Sequence, residues 1–294
     1  GQRMETETLP LLYQDRPYRD REFIREVCTS ILSQPSKSKK HDDTFCGIFI
    51  DGRKRHINTL EDHAALLSFK TFSEANYPLF CFVFDDTDFL GGANKEDLER
   101  LRITIIKIPE ITSLEAYTEF CLHDLYPQIP DHIEWCLTLQ PDGALLRNGW
   151  ETFIKDNDLD WCGPHWRHLA NIGIFTPSID LKSLEIISPF PSTQIGNGGF
   201  SCRRLNKMRQ ICEILKTIKC IEIGRADFRP PMEDCQICCL GFGSGIMKKP
   251  TLKQADLFAC DPLTPEIFKS ETSPFGFHFF SQSSEPDWPP CNHA

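Results

Sequence analysis

The sequence lacks long apolar runs, internal repeats and an excess of basic residues. No apolar stretch reaches the roughly 18 residues of a membrane-spanning helix. Residues 1–20 contain no apolar core of a secretory signal. The formal net charge of −10 disfavours a nucleic-acid backbone as the main partner. We therefore expect neither a membrane span nor a nucleic-acid partner.

The 14 cysteines do not form the pattern of a disulfide framework, which is typical of small, loop-rich secreted chains. Most of them lie inside apolar runs, where reduced cysteine behaves as a small hydrophobic residue. Cys235 and Cys238 have the spacing of a zinc-binding pair, but no second pair at comparable spacing completes a site. The pattern predicts free thiols and a reducing, cytoplasmic compartment.

Unbroken apolar segments of strand length alternate with segments of helical periodicity in the first half of the chain. Such strands are typical of a parallel sheet that helices cover on both faces. The predicted strands are Thr44–Ile50, Leu79–Phe84, Ile103–Ile108 and Trp135–Leu139, and the predicted helices are Asp20–Ser33, Leu60–Glu74, Glu96–Arg100, Leu114–Leu125 and Met208–Leu215.

The second half of the chain is richer in Pro, Gly and Ser. Thr176–Gln194 is predicted to be an irregular loop, and residues 222–250 a second loop-rich stretch. The sequence therefore predicts one α/β domain with a mostly parallel central sheet and an irregular C-terminal half. Its boundaries are residues 1–43 for a partly mobile tail with one helix, 44–280 for the domain, and 281–294 for a C-terminal tail.

Aspartates lie directly after the predicted strands or within three residues of their ends. Asp51 follows the first strand, Asp85 the second and Asp142 the fourth. Ligands of open parallel sheets bind beyond the carboxyl ends of the strands, and carboxylate oxygens are ligands of Mg²⁺ and of Mn²⁺. Arg53 lies just past the first strand, where a guanidinium can meet phosphates. The alternatives are a strand-ending turn at Asp142 and a solvated loop at Arg53.

Residues 196–201 read Gly-Asn-Gly-Gly-Phe-Ser. Three glycines in four residues permit positive φ angles and a close approach of the backbone to a ligand. Arg203 follows and would supply a cationic donor beside a diphosphate or a sugar. The alternative is a tight hairpin turn.

Glu233 and Asp234 form an acidic pair beside an apolar run. Neighbouring acids can have their pKa values pushed apart so that one remains a base. The alternative is the first turn of a helix, which acidic residues stabilise. His278 lies among aromatic residues, where a histidine is either a core residue or a ligand.

In their order along the chain, these motifs resemble one family of bacterial and viral glycosyltransferase-like proteins, grouped as a domain of unknown function with a GT-A-like fold. The family pattern is QTDS, YIGAPW, GNGGFSLR, EDVFF and PFGxH. The corresponding segments here are QPDG at 140–143, WCGPHW at 161–166, GNGGFS at 196–201, ED at 233–234 and PFGFH at 274–278. The resemblance spans about residues 44–280, and GNGGFS is its most specific part.

The resemblance implies roles for individual residues. Asp142 matches the carboxylate that binds the metal and the sugar nucleotide, and His278 matches a second protein ligand of the metal. Gln140 stands where an Asp-x-Asp motif has its first acid, which weakens the case for metal dependence. Asp234, or else Glu233, is implied as the catalytic base.

The implied activity is transfer of a sugar from a UDP- or GDP-sugar to a hydroxyl of a glycan or another acceptor. Inversion at the anomeric carbon and assistance by Mn²⁺ or Mg²⁺ are expected. The alternatives are a nucleotide hydrolase or nucleotidyltransferase, whose glycine-rich phosphate loop the first strand lacks, and a non-catalytic binding module. The predicted donor-binding residues are Asp51, Arg53, Asp85, Gln140, Asp142, Gly198, Gly199 and Arg203, and the predicted acceptor-binding residues are Trp166 and Phe200.

Overall fold

A six-stranded sheet forms the centre of the protein in a computed structural model. The strands, in chain order, are β1 Phe45–Asp51, β2 Leu79–Val83, β3 Ile103–Lys107, β4 Trp135–Leu139, β5 Gly143–Leu145, β6 Trp161–Cys162, β7 Ile174–Phe175, β8 Ser178–Ile179, β9 Ile186–Ser188, β10 Ser192–Thr193, β11 Phe200–Arg204, β12 Ala259–Cys260 and β13 Gly276–His278. The structure describes residues 21–37, 43–54, 60–165, 174–175, 178–179, 182, 186–188, 192–193, 195–216, 232–264, 266–267, 270 and 274–278.

The order of strands in this sheet is β3-β2-β1-β4-β11-β6. β1 pairs in parallel with β2 and with β4, and β2 pairs in parallel with β3. β11 is antiparallel to β4 and to β6. Four parallel strands therefore form one side of the sheet, and two antiparallel strands extend it.

Helices pack on both faces of the sheet. They are α1 Arg21–Leu32, α2 Leu60–Ser73, α3 Lys95–Arg100, α4 Leu114–Glu119, α5 Trp150–Asp156, α6 Leu205–Leu215, α7 Glu233–Gly243 and α8 Leu252–Phe258. A π-helix at Phe120–Leu125 continues α4, and 3-10 turns lie at Phe89–Gly91 and Tyr126–Gln128.

The side chains of β1 show why the sheet is buried on both faces. Cys46 and Ile48 belong to one apolar core, which α6 and α7 complete. Phe45 and Phe49 belong to a second core on the opposite face, together with residues of α1, α2 and α5. Successive side chains of a strand point to opposite faces, so an unbroken apolar strand requires a core on each side.

A second, three-stranded sheet brings the segment that contains His278 to the central sheet. Its order is β12-β13-β5, and β5 follows β4 after a turn of three residues. In the pairing of β13 with β5, His278 lies opposite Gly143. The end of the described chain is thereby brought to the carboxyl end of the central strand β4.

These observations confirm the predicted α/β class with a mostly parallel central sheet. Two local predictions need correction. Residues 222–250 include the helix α7, and Thr176–Gln194 includes the short strands β8, β9 and β10. The predicted domain boundaries stay predictions.

Twelve cysteines lie in the described ranges, and all of them are buried thiols outside any disulfide, as predicted for them. Over the same ranges, no helix has the length and apolar character that crossing a membrane requires.

Candidate active site

The site lies at the carboxyl ends of β1 and β4, which are neighbours in the sheet. From β1 the chain proceeds outward to β2 and β3, and then returns to β4 on the other side. Open α/β sheets bind ligands in the crevice at such a reversal of strand order. Asp51 is the last residue of β1, and Asp142 lies in the turn between β4 and β5.

His278 lies between two carboxylates. Its Nε2 is 3.1 Å from Oδ2 of Asp142, and its Nδ1 is 3.0 Å from Oδ2 of Asp261. The side chain of Asp142 is 34% exposed, whereas those of His278 and Asp261 are 16% and 9% exposed. We call these three residues the rim cluster, and Asp142 is its most accessible member.

Charge interactions shift the pKa values of His278 and Asp142. Burial lowers the pKa of His278, but the carboxylates of Asp142 and Asp261 outweigh it and raise this pKa well above its usual value. Burial raises the pKa of Asp142, but the charge and hydrogen bond of His278, and more weakly the charge of Arg53, hold it below its usual value. Two carboxylates at this point therefore require a positive charge between or beside them.

The rim cluster has the donors for a divalent cation. Oδ1 of Asp142 is buried and has no hydrogen-bond partner among the described residues. The 3.1 Å between Asp142 Oδ2 and His278 Nε2 suits two neighbouring ligands of an octahedral ion, which lie about 3 Å apart when each bond is about 2.1 Å. In the described part of the chain, no three His, Cys, Asp or Glu residues form a metal-binding group. Asp142 and His278 could supply two ligands to a cation, and its other ligands would have to come from substrate oxygens and water.

A glycine loop, residues 196–199, lies against these side chains. A Cβ atom added to Gly199 would lie 2.1 Å from Cδ2 of His278, and one added to Gly198 would lie 2.7 Å from Cβ of Asp234. The two glycines are therefore required by the close approach of His278 and Asp234. The structure brings together three residues that the sequence predicted separately: Asp142, His278 and, through the loop, Asp234.

Asp234 lies in the first turn of α7 and is partly exposed. Its Oδ2 accepts a hydrogen bond from the backbone N–H of Gly198 at 2.9 Å, and its Oδ1 accepts one from Cys235 N–H at 2.8 Å. Each carboxylate oxygen has two lone pairs, so both oxygens can still accept a proton or a further hydrogen bond.

Glu233 and Arg203 form a buried ion pair, which does not fit their predicted roles as base and donor-binding residue. Arg203 is 0% exposed and Glu233 is 2% exposed. The guanidinium donates to both carboxylate oxygens, at 2.8 and 2.9 Å, and also to the hydroxyl of Tyr126 and the carbonyl of Gly198. Burial raises the pKa of Glu233, against the opposing effect of Arg203. The ion pair supports the glycine loop through the hydrogen bond from Arg203 to the Gly198 carbonyl. Both side chains are too buried to contact a substrate.

Phe200 also differs from its prediction as an acceptor-binding residue. It is fully buried, and its ring lies 5.4 Å from that of Phe258. A Cβ atom on Gly276 would lie 2.1 Å from the same ring, so Phe200 fills the space between the two sheets. Trp166, the other predicted acceptor residue, lies outside the described residues.

The remaining predicted donor residues lie along the rim. Asp51 is 4% exposed and accepts hydrogen bonds from N and Nε of Arg53, at 3.1 and 2.9 Å. It therefore holds the half-exposed guanidinium of Arg53 rather than facing a ligand itself. Nε2 of Gln140 donates to the hydroxyl of Tyr117 at 3.0 Å. Asp85, after β2, accepts from the backbone N–H of Thr87.

Two residues of the site were not predicted, Asn197 and Asp261. Nδ2 of Asn197 donates to Asp261 at 2.7 Å, and its Oδ1 accepts from Gly199 N–H at 3.1 Å. The position of Asn197 inside the glycine motif was a usable signal. Asp261 precedes a proline in an irregular segment, and no pattern in the sequence distinguishes it.

A separate surface cavity of about 640 Å³ contains none of the predicted site residues. It is lined by Lys253, Asp256, Leu257, Cys260, Glu266, Ile267, Ser270 and Pro274.

The fold and the site define an α/β protein with a polar crevice at the carboxyl ends of its parallel strands. The sequence model of a family described as "Protein of unknown function (DUF5672)" matches residues 100–278, more than half of the chain, and the chain belongs to this family. Among solved structures, the protein is similar to the apo form of mouse xyloside xylosyltransferase 1, with 10% sequence identity, a TM-score of 0.41, and coverage of 80% of this chain and 97% of that one. No curated protein matches the chain.

Proposed function

We propose that the protein is a GT-A-type glycosyltransferase that moves a sugar from a UDP- or GDP-sugar to a hydroxyl of a glycan or another acceptor. The observation that carries the proposal is the rim cluster, because it combines an accessible carboxylate and an imidazole at the ligand-binding edge of the sheet. The order of motifs from Gln140 to His278, which resembles a glycosyltransferase-like family, supports it.

In this proposal, Asp142 and His278 hold a Mn²⁺ or Mg²⁺ ion, and Arg53 lies beside the phosphates of the donor. The ion would act as a Lewis acid that stabilises the charge developing on the departing diphosphate. Asp51 contributes indirectly by fixing Arg53. Asp85 and the exposed side of Gln140 lie along the same rim and are proposed donor contacts.

The glycine loop would bind the sugar of the donor. Two hydrogen bonds fix the backbone of Gly198 in this loop. Its N–H donates to Asp234, and its carbonyl accepts from Arg203. A backbone held in this way can position a substrate without losing further conformational freedom on binding, and such positioning lowers the barrier of a bimolecular reaction.

Asp234 is the proposed general base. It lies next to the loop that would hold the sugar, and it is partly exposed, whereas Glu233 is buried in an ion pair with Arg203. The acceptor hydroxyl would donate to a free lone pair of the carboxylate and lose its proton as the new glycosidic bond forms. A single base on the face opposite the leaving group gives inversion, which we propose for this reaction.

Incubation with a panel of UDP- and GDP-sugars and simple glycan acceptors, with and without Mn²⁺, tests the proposal. We expect release of nucleoside diphosphate that requires both the acceptor and Mn²⁺, and a product whose anomeric configuration in ¹H NMR is opposite to that of the donor. Release without acceptor would indicate a hydrolase. Tight donor binding without any release would indicate a non-catalytic module, and either result would overturn the proposal.

We also propose a reducing, cytoplasmic location. The twelve described cysteines are buried and form no disulfide with one another, and burial raises the pKa of several of them, including Cys162 and Cys202. Buried neutral thiols are inert hydrophobic residues. Titration of thiols in the denatured, unreduced protein should detect nearly all 14 cysteines, and six or more blocked as disulfides would contradict this proposal.

A further inference from the structure

His278 can bind a cation through Nε2 only if its ring is held in one orientation. A rotation of the ring by 180° about its bond to Cβ would put Cε1 in the place of Nε2 and Cδ2 in the place of Nδ1, so that neither nitrogen would keep its partner. In metal sites, a second hydrogen bond from the other nitrogen usually determines which nitrogen binds. In this structure, Asp261 provides that partner for Nδ1.

Asp261 is itself fixed by Asn197. Oδ2 of Asp261 lies 3.0 Å from Nδ1 of His278 and accepts from Nδ2 of Asn197 at 2.7 Å. The amide of Asn197 cannot reverse, because its oxygen accepts from Gly199 N–H. Both interactions involve the same oxygen, Oδ2, whose two lone pairs can accept from both donors at once. An asparagine at this position could offer at most a neutral amide oxygen there, so it removes the charge that holds the N–H of the imidazole.

The glycine loop contacts both His278 and the turn that carries Asp142. The ring of His278 packs directly on Gly199, with no room for a Cβ atom between them. The carbonyl of Gly199 accepts from the backbone N–H of Gln140, in the turn that carries Asp142. A continuous set of contacts therefore joins Asp142, the loop, Asn197, Asp261 and His278.

We infer that Asp261 is a positioning residue that holds His278 with Nε2 toward Asp142, and that Asn197 couples this orientation to the glycine loop. The inference rests on the proposed function, because it concerns the cation and the loop of the same site. It assigns no direct contact between Asp261 and substrate. Donor binding at the loop and cation binding at His278 are then linked through Asn197.

The test compares Asp261→Asn with Asp160→Asn as a matched control. Asp160 and Asp261 are both 7% exposed. Asp160 also has a structural role, because it accepts a hydrogen bond from Lys248 N–H at 2.9 Å and forms an ion pair with Arg204. Both variants remove one buried carboxylate charge, but only Asp261→Asn disturbs His278.

Binding of Mn²⁺ in the presence of UDP, and in a parallel arm of GDP, is measured by the loss of the free-ion EPR signal against a blank without protein. We expect Asp261→Asn to weaken Mn²⁺ binding by about 10–100-fold, the usual effect of losing an outer-shell partner. Asp160→Asn should bind as wild type even if its melting temperature falls.

A spectroscopic measurement separates positioning from a merely structural role. With Mg²⁺ and the same nucleotide, long-range ¹H–¹⁵N spectra of ¹⁵N-histidine-labelled wild type should show His278 protonated at Nδ1 alone. Asp261→Asn should reduce the population of that state, because a neutral amide oxygen accepts more weakly than a carboxylate. If this variant does not fold, Asn197→Ala should show a smaller loss of Mn²⁺ affinity in the same direction.

The outcomes distinguish the two levels of the proposal. Equal Mn²⁺ affinity and an unchanged His278 spectrum in Asp261→Asn, or in Asn197→Ala in its place, would overturn the inference and leave the proposed function intact. A wild type that binds UDP or GDP without any dependence on Mn²⁺ would overturn the proposed cation, and the inference with it. A wild type that binds neither nucleotide would overturn the proposed function itself.

Discussion

Two groups of charged residues flank the same glycine loop and differ chiefly in their access to solvent. The buried ion pair, Arg203 and Glu233, lies under the loop with side chains that are 0% and 3% exposed. The rim cluster lies beside it and keeps one carboxylate, Asp142, 34% exposed. The ion pair uses its hydrogen bonds within the protein, whereas Oδ1 of Asp142 has none among the described residues.

The difference shows that residue type alone does not identify a functional group. An arginine beside a diphosphate-binding motif and a glutamate next to a proposed base both have plausible chemistry, yet here they stabilise each other. Breaking such a pair should act on folding, while changes at the rim should act on ligand binding or turnover. The predictions below test this division.

The largest effect is expected for Asp234→Asn, on the accessible side of the loop. A general base typically contributes about 10²–10⁴-fold to the rate, so kcat should fall by about that factor. Donor affinity should change little, because the donor is held elsewhere. Steady-state kinetics with saturating donor and acceptor provide the measurement. Near-normal turnover would remove Asp234 from the mechanism.

Glu233→Gln should destabilise the fold by about 3–5 kcal/mol, because it leaves the guanidinium of Arg203 buried without its counter-charge. Chemical denaturation measures this loss. Replacing both residues of the pair with apolar residues, Arg203→Met with Glu233→Leu, should cost less than Glu233→Gln alone. Wild-type stability together with lost turnover in Glu233→Gln would mean that the roles of Glu233 and Asp234 are exchanged.

Gly199→Ala should cost about 1–3 kcal/mol of stability, as overpacking of a filled site usually does, because the new methyl group would meet the ring of His278. It should also weaken nucleotide binding in a Mn²⁺-containing titration. Gly92→Ala is the control, since a Cβ atom there meets nothing within 4 Å and only its positive φ is strained. Equal nucleotide affinity in Gly199→Ala and wild type would mean that the contact between the glycine loop and the rim cluster does not contribute to nucleotide binding.

The smallest effect is expected for Lys107→Ala. Lys107 pairs with Asp86 at 3.0 Å on the same edge of the sheet, but the two side chains are 57% and 47% exposed. Exposed pairs of this kind contribute about 0.2–1 kcal/mol, and neither Lys107 nor Asp86 belongs to the rim cluster. A loss of turnover in Lys107→Ala, followed in the same assay as Asp234→Asn, would extend the site farther along the rim than proposed.

The sequence was sufficient for the parallel strands and their helices, because apolar runs such as Phe45–Asp51 and Trp135–Leu139 are buried on both faces and have no other stable environment. It was insufficient for α7. The first turn of that helix has acidic residues, as expected, but all-round burial of its cysteines removes the amphipathic pattern that identifies most helices.

The site could be predicted in part. Asp142 and Asp234 were found from local signals, a strand end and an acidic pair beside an apolar run. Their partners depend on tertiary contacts: His278 reaches Asp142 across 136 residues of sequence, and Asn197 reaches Asp261 across 64. The burial of Arg203 follows from the antiparallel pairing of β11 with β4, which no short-range pattern of the sequence reveals.

Stabilisation of the protein by a nucleoside diphosphate, measured in a thermal-shift assay with and without Mn²⁺, tests the rim cluster most directly. A ligand that binds the folded state raises its stability in proportion to the logarithm of its concentration over Kd. We expect UDP or GDP to raise the Tm of wild type only when Mn²⁺ is present, and we expect Asp142→Asn to abolish this rise while Asp160→Asn retains it. An unchanged Mn²⁺-dependent rise in Asp142→Asn would contradict the assignment of the rim cluster as the site of the cation and the diphosphate.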